Sequence, residues 1–460
     1  LHRRIAQTLL AVHHENLAGV HAQVAVHWEA GGQPQRAMEA YIEAAQAAHQ
    51  RSTLNEAIDH LHRALALVAT FPATEQRPAE LRIQAALGPL LLATKGYAAP
   101  EVEQAFTRAW ELCHEHDDAV QRFQVLWGLG RFYTVQPNPT RGQNVSQQLM
   151  TLAQATGDSG LLLEAHCALG THYFHRAALS DARHHLTAAI TAYDPQQHVD
   201  HRLSYGQDPC VVASAYLAWT LWCMGHPAEA LAHTEAALSL ARTLAHPYSQ
   251  VIALTYAAVQ QQFLQQPEAC LAYAGQSIAL ADRYGFTLWL SMATFLRGWA
   301  QTTFGNFDAG FDDMQCSIDL FRQTGAELGA AYFTALLAET FGRAGQPDVG
   351  LLLMTQALDQ LARTEDRWCE SELYRLQGRL FDLDGQPRAA EEAFRTAITV
   401  AQSQQAGQWE LRAVVSLARL LQPAGRLDAV RGQLQSVVVS RNACGATPEL
   451  TAARELLLAG

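Results

Sequence analysis

Lysine is almost missing. One occurs in 460 residues, Lys95 in Thr94-Lys95-Gly96. A phosphate-binding loop needs Gly-x-x-x-x-Gly-Lys-Ser/Thr so that the ammonium reaches the phosphates. The residues before Lys95 do not supply it. A protein-kinase site fails as well, because its lysine stands on a strand beside a glycine-rich loop. Charge in general is scarce: Asp, Glu, Lys and Arg make up 17% of the chain, against about 25% in an ordinary one. The net charge is −12, which argues against a nucleic-acid surface, since that needs a basic stripe. No apolar run approaches the roughly 18–20 residues that cross a bilayer. Leu90-Leu91-Leu92 and Leu351-Leu352-Leu353 are short core segments.

Further absences narrow the field. The cysteines are Cys113, Cys167, Cys210, Cys223, Cys270, Cys316, Cys369 and Cys444, and no two form Cys-x-x-Cys. Most sit in apolar helical stretches, which suits buried free thiols in a reducing cytoplasm and not a disulfide scaffold. The period-two alternation of strands is missing. So are the Gly-x-Ser-x-Gly elbow and the Gly-x-Gly-x-x-Gly cradle, which leaves acyl transfer and dinucleotide binding without support. The start, Leu1-His2-Arg3-Arg4, leads into no apolar signal core. It is Leu and not Met, and the chain reads as a piece of a longer polypeptide. What is abundant is apolar material, 49% of the chain. One compact core rarely reaches this length, so several domains or a repeat array are expected.

A period of 40 decides for the array. Gly225-His226-Pro227, Gln265-Gln266-Pro267, Gly305-Asn306-Phe307, Gly345-Gln346-Pro347, Gly385-Gln386-Pro387 and Gly425-Arg426-Leu427 recur at that interval. Mostly small residues flank each turn at fixed offsets: Ala218, Ala258, Gly298, Ala338, Gly378 and Ala418 before it, Ala230, Cys270, Gly310, Gly350, Ala390 and Val430 after it. Each unit therefore reads as helix, tight turn, helix. The Gly ends one helix and the Pro opens the next where a missing N–H costs little. No unit buries its apolar face alone, so units stack. Upstream, Gly130 with Gly142 and Gly170 with Ala182 keep the register, and an eight-residue insert falls within 194–209. The expected fold is all-α, a right-handed α–α superhelix of nine to ten helix pairs.

The small–turn–small pattern resembles the tetratricopeptide repeat. Its clearest unit is Tyr374, Gln377-Gly378, Phe381, Ala390, Phe394 and Ala397. The resemblance covers roughly residues 35–440, with 40-residue units in place of the usual 34. Residues 1–34 then form a preceding helical segment and 441–460 a C-terminal capping helix. His27-Trp28-Glu29-Ala30-Gly31, Asn55-Glu56-Ala57-Ile58, Lys95-Gly96-Tyr97-Ala98-Ala99-Pro100 and Tyr205-Gly206-Gln207-Asp208-Pro209 carry a further resemblance. They are similar to the C-terminal arm of bacterial signalling proteins with an AAA/STAND-type ATPase, often fused to a class III adenylate/guanylate cyclase. The resemblance implies a non-catalytic regulatory arm, with 1–34 following an ATPase module this chain does not contain. No catalytic residue carries over.

In tetratricopeptide arrays the first helix of each unit lines the concave face. This register puts Trp219, Trp222, Phe263, Phe295 and Trp299 in the middle of a groove. Glu339, Arg343, Arg375, Arg379, Arg412 and Arg419 follow toward its end. Aromatics and Arg dominate binding hot spots, so the groove suits a protein, a peptide or a neighbouring domain. Ordinary inter-helix packing is the competing reading of the same residues. The polar insert, with His198, His201, Arg202 and Asp208, is a second candidate, since solenoid inserts often project and carry contacts; a plain loop competes. His172 and His175 could face together on one helix, but no third ligand is evident and His114-Glu115-His116 lacks zinc-site spacing. Asp382-Leu383-Asp384-Gly385 reads as a turn and not as a calcium loop. No cofactor, metal, nucleic acid or membrane partner is expected, and no enzyme activity within the chain. The ligand-sensing arm of an ATP-dependent LuxR-type regulator and a free-standing scaffold are the alternatives.

Overall fold

The apolar pattern of the paired helices decides which lies inside. In the computed structural model, which describes residues 1–14, 16–114, 117–136, 139–441 and 447–458, helix follows helix and no strand occurs among the described residues. Cys444, Glu115 and His116 lie outside the described residues. The helix Pro209–Met224 is buried at almost every position, whereas its partner Pro227–Leu244 buries one stripe of Ala230, Thr234, Ala237, Leu238 and Ala241. A helix that is apolar all round must be enclosed, and an amphipathic one covers it.

The same division holds along the chain. The inner helices are Ala119–Val135, Ser159–His175, Pro209–Met224, Pro247–Phe263, Thr287–Thr303, Ala330–Arg343, Glu370–Leu383 and Gly407–Leu421. Their outer partners are Pro139–Thr156, Leu179–Ala192, Pro227–Leu244, Pro267–Tyr284, Phe307–Gln323, Pro347–Thr364, Pro387–Ser403 and Asp428–Arg441. Upstream come His2–Val12, His21–Ala30, Pro34–Gln50, Leu54–Val68, Ala73–Lys95 and Pro100–Leu112, and Pro448–Leu458 closes the C-terminal end.

The turn chemistry works as the 40-residue signal implies. Gly225 and Gly345 adopt φ of 94° and 83°, the left-handed region that only Gly enters without strain. Pro227 and Pro347 then open the outer helices. The small residues set the crossing distance. A Cβ on Gly298 would stand 2.7 Å from the Gly310 carbonyl, and one on Gly310 would stand 2.8 Å from the Gly298 carbonyl. Nearby, Ser291 and Ser317 each donate to the other's carbonyl oxygen, at 3.0 and 2.9 Å.

The solenoid completes a turn and touches itself. His175 Nδ1 lies 2.9 Å from Asp366 Oδ1, and Arg176 pairs with Glu365, across 191 and 189 residues of sequence. The Glu327 N–H donates to the Val135 carbonyl at 3.1 Å, and the Tyr97 ring meets Trp289 edge-on at 6.5 Å. These spacings are just under five units. The concave space is therefore filled by the protein's own side chains.

The insert differs from the projecting polar loop that its composition suggests. It forms one short helix, His201–Ser204, and turns inward. His198, Tyr205, Gln207 and Asp208 are buried. Asp208 is satisfied at both oxygens: Oδ1 accepts from the Val211 N–H at 2.9 Å and Oδ2 from the Tyr193 hydroxyl at 2.8 Å. The Tyr97 hydroxyl donates to Gln207 Oε1 at 2.8 Å. These bonds replace the water that would otherwise hold a polar loop at the surface.

Candidate functional site

The inner helices bring their aromatic residues to one central wall. Trp222 stacks on Phe263 at 4.8 Å and meets Trp409 edge-on at 4.5 Å. Trp219 sits 4.5 Å from Tyr256, and its Nε1 donates to the Tyr256 carbonyl at 3.2 Å. Phe174 stacks on Trp368 at 5.3 Å, joining the two ends of the superhelical turn. Phe295 packs on Phe333 at 4.6 Å, and Trp299 is buried nearby on the same helix. All five aromatic residues singled out in the sequence are buried in this interior.

The charged candidates divide. Arg375 binds Glu372 through two nitrogens, at 2.7 and 2.8 Å. Arg412 donates to Glu449 at 2.8 Å, to Glu372 at 3.4 Å and to the Phe263 carbonyl, and lies over the rings of Trp222 and Trp409. Both arginines are thus buried inside an ion network with two glutamates. Burial pushes the Glu449 carboxyl up, but the Arg412 guanidinium outweighs it and holds it below its usual range. Arg379 pairs with Glu339 at 2.7 Å, and Arg343 donates to the Thr302 carbonyl at 3.0 Å. Arg419 is exposed on the surface. The structure gathers Trp222, Phe263, Arg375 and Arg412, and leaves Arg419 apart from them.

A small cavity, about 90 Å³, opens off the aromatic wall. Tyr97, Arg131, His175, Tyr216, Trp289 and Trp368 are among the residues lining it. A hydrogen-bonded series runs beside it. Asp366 Oδ2 accepts from the Gly329 N–H at 2.8 Å and its Oδ1 faces His175 Nδ1. His175 Nε2 lies 3.1 Å from the Tyr216 hydroxyl, which accepts from the Tyr256 hydroxyl at 3.3 Å. Burial pushes the Tyr216 phenol up to about 12. Burial also drives His172 down to about 4. His172 and His175 share no third ligand, and no group of three or more His, Cys, Asp or Glu able to hold a metal occurs among the described residues.

Sequence reasoning passed over this cavity because its parts are far apart in the chain. One signal was available. Arg131 and Thr171, and Tyr216 and Tyr256, are each 40 residues apart and bonded to one another. Equivalent positions of neighbouring units meet, so polar residues repeating at the period mark inner-wall contacts.

No family model matches the chain. An uncharacterized protein of Rhizobium meliloti (strain 1021) is 23% identical over 402 residues, covering 86% of this chain. The chain spans 39% of that protein's length. A Rap protein complexed with competence and sporulation factor superposes with a TM-score of 0.58 at 12% identity, over 80% of this chain and 98% of that one. The apo form of RapI gives a TM-score of 0.45 at 11% identity, over 61% and 98%. The fold is a tetratricopeptide-like helical solenoid.

Proposed function

We propose that the chain is a non-catalytic interaction and regulatory arm of a larger signalling polypeptide. The observation that carries this reading is the self-closed turn. Two halves of the array meet through a short set of polar contacts, His175–Asp366, Arg176–Glu365 and Glu327–Val135, around an aromatic interior. A closure that opens and re-forms would let binding at one end be felt at the other. The Rap structure, in which the solenoid is complexed with competence and sporulation factor, supports a protein or peptide partner. In the finer form of the reading, the partner is a STAND-type ATPase or cyclase module of the same polypeptide. Residues 1–34 are its junction, 35–440 the array and 441–460 the cap, in the cytoplasm.

The reading frame upstream of Leu1 tests the finer form. A phosphate-binding loop within a few hundred codons is expected. ATP turnover by that polypeptide should then change when residues 1–460 are removed; unchanged turnover overturns the regulatory reading. The cavity beside the aromatic wall favours a second form, the ligand-sensing arm of a LuxR-type regulator. A helix-turn-helix encoded downstream of Gly460 would select it.

A further inference from the structure

Three arginines are buried among the described residues: Arg131, Arg375 and Arg412, exposed by 8, 9 and 6%. Two of them have carboxylate partners. Arg375 has Glu372, and Arg412 has Glu372 and Glu449. Arg131 has none within ion-pair distance among the described residues. Its Nη1 donates to the Thr171 hydroxyl at 3.2 Å, and its guanidinium lies 5.6 and 5.9 Å from the rings of Tyr97 and Trp127. Its Nε is buried with no hydrogen-bond partner. The buried carboxylates of the surrounding helices are committed elsewhere: Glu164 to His201 at 2.9 Å, and Asp366 to His175 and the Gly329 N–H.

A buried charge is stable only when paired. Arg131 lines the 90 Å³ cavity, and so does Trp368, whose Nε1 is also buried without a partner. Trp289 Nε1 is a third such group, so three unmet donors, one of them cationic, line one cavity. The other walls are mostly apolar and aromatic, with Thr134, His175 and tyrosine side chains among them. So small a volume favours an occupant of a few heavy atoms. One cation balances one anion, so a monoanion fits better than a phosphate dianion.

We propose that this cavity binds a short-chain monocarboxylate, with the carboxylate on Arg131 and the Trp368 indole N–H and the alkyl group against the aromatic wall. The proposal deepens the ligand-sensing form of the reading above, and it is measured on the chain itself, with no reference to ATP turnover. A negative result here with altered turnover there removes the ligand and leaves the regulatory arm; the converse removes the arm and leaves the ligand.

Propionate is the probe. Sodium propionate should raise the Tm and quench tryptophan fluorescence saturably, at millimolar concentrations typical of so small a ligand. Propionamide, which keeps the shape and loses the charge, and sodium chloride at equal ionic strength should do neither. Arg131→Met should abolish the propionate response. Trp368→Phe, which removes the indole N–H and keeps a smaller aromatic ring, should weaken binding several-fold with far-UV circular dichroism unchanged, and it decides the matter if Arg131→Met fails to fold. Equal responses to propionate and propionamide, unaltered binding in both variants, or no saturable response up to about 50 mM overturn the proposal.

Discussion

At the scale of single residues, Gly310 fixes how closely the helices Thr287–Thr303 and Phe307–Gln323 cross. Its Cα faces the Gly298 carbonyl, and any Cβ there falls inside contact distance. Gly310→Val should cost about 1–3 kcal/mol, the usual range for overpacking, read as a shift in the urea midpoint at constant slope. Burial acts on histidines in a different way. It lowers His49 and His172 to about 4 and His246 to about 3. Below the ordinary value of 6.5 the unfolded chain takes up these protons and the folded one refuses them. Stability therefore falls as pH drops from about 6.5 toward 4, with a slope that approaches one proton per histidine. Replacing His49 and His246 by Gln should flatten that slope in thermal melts between pH 7 and 5. A slope unchanged by both substitutions would assign acid sensitivity to other groups. Trp219 gives the sharpest contrast with an open groove. Its ring packs among Tyr256, Phe263 and Phe174, so Trp219→Ala should lose about 3–5 kcal/mol of stability. Partner capture lost with helicity and Tm retained would return Trp219 to an accessible surface.

At the scale of elements, the segment between Thr364 and Glu370 is where the superhelical turn closes. Asp366, exposed by 1%, takes the Gly329 N–H and faces His175 from the opposite side of the turn. Asp366→Ala removes the acceptor of the part-buried Gly329 N–H and the partner of His175 Nδ1, at about 1–3 kcal/mol each. Amide exchange should quicken around Gly329 and Trp368 and near His175, while the outer helix Pro227–Leu244 keeps its protection. Uniform acceleration along the chain would mean general destabilisation and not a latch. The units that flank this segment were legible beforehand. Pro347, Gly345 and the small residues at Gly350 and Ala338 declare a helix pair from local spacing, because capping and close packing are decided within one unit. The closure was not legible. Asp366 meets His175 only because small rotations between units accumulate over almost five of them, and no local pattern encodes that sum. The same accumulation turned Trp219, Trp222 and Phe263 from candidate floor into interior, and hid Arg131.

At the scale of the whole molecule, closure changes how the array should unfold. In an open solenoid each unit feels only its neighbours, so damage at one end stays there. Here the C-terminal units reach back to the middle. Arg441 Nη1 donates to the Met224 carbonyl at 2.5 Å across 217 residues, and Arg412 donates to the Phe263 carbonyl across 149. Arg412 is itself held by Glu449 in the terminal helix Pro448–Leu458. Removing residues 424–460 strips Arg412 of one carboxylate and frees the end of the helix Pro209–Met224. Amide protection around Trp219 and Met224 should then fall, although the sequence there is untouched and more than 190 residues away. The intact chain should melt in one step, with far-UV circular dichroism and tryptophan fluorescence coincident. Trp219, Trp222, Trp289, Trp368 and Trp409 report the shared interior, whereas the helical signal reports every unit. A fluorescence transition that precedes the loss of helix in the intact chain, together with unchanged protection at Met224 in the truncated one, would describe an open array whose turns merely touch.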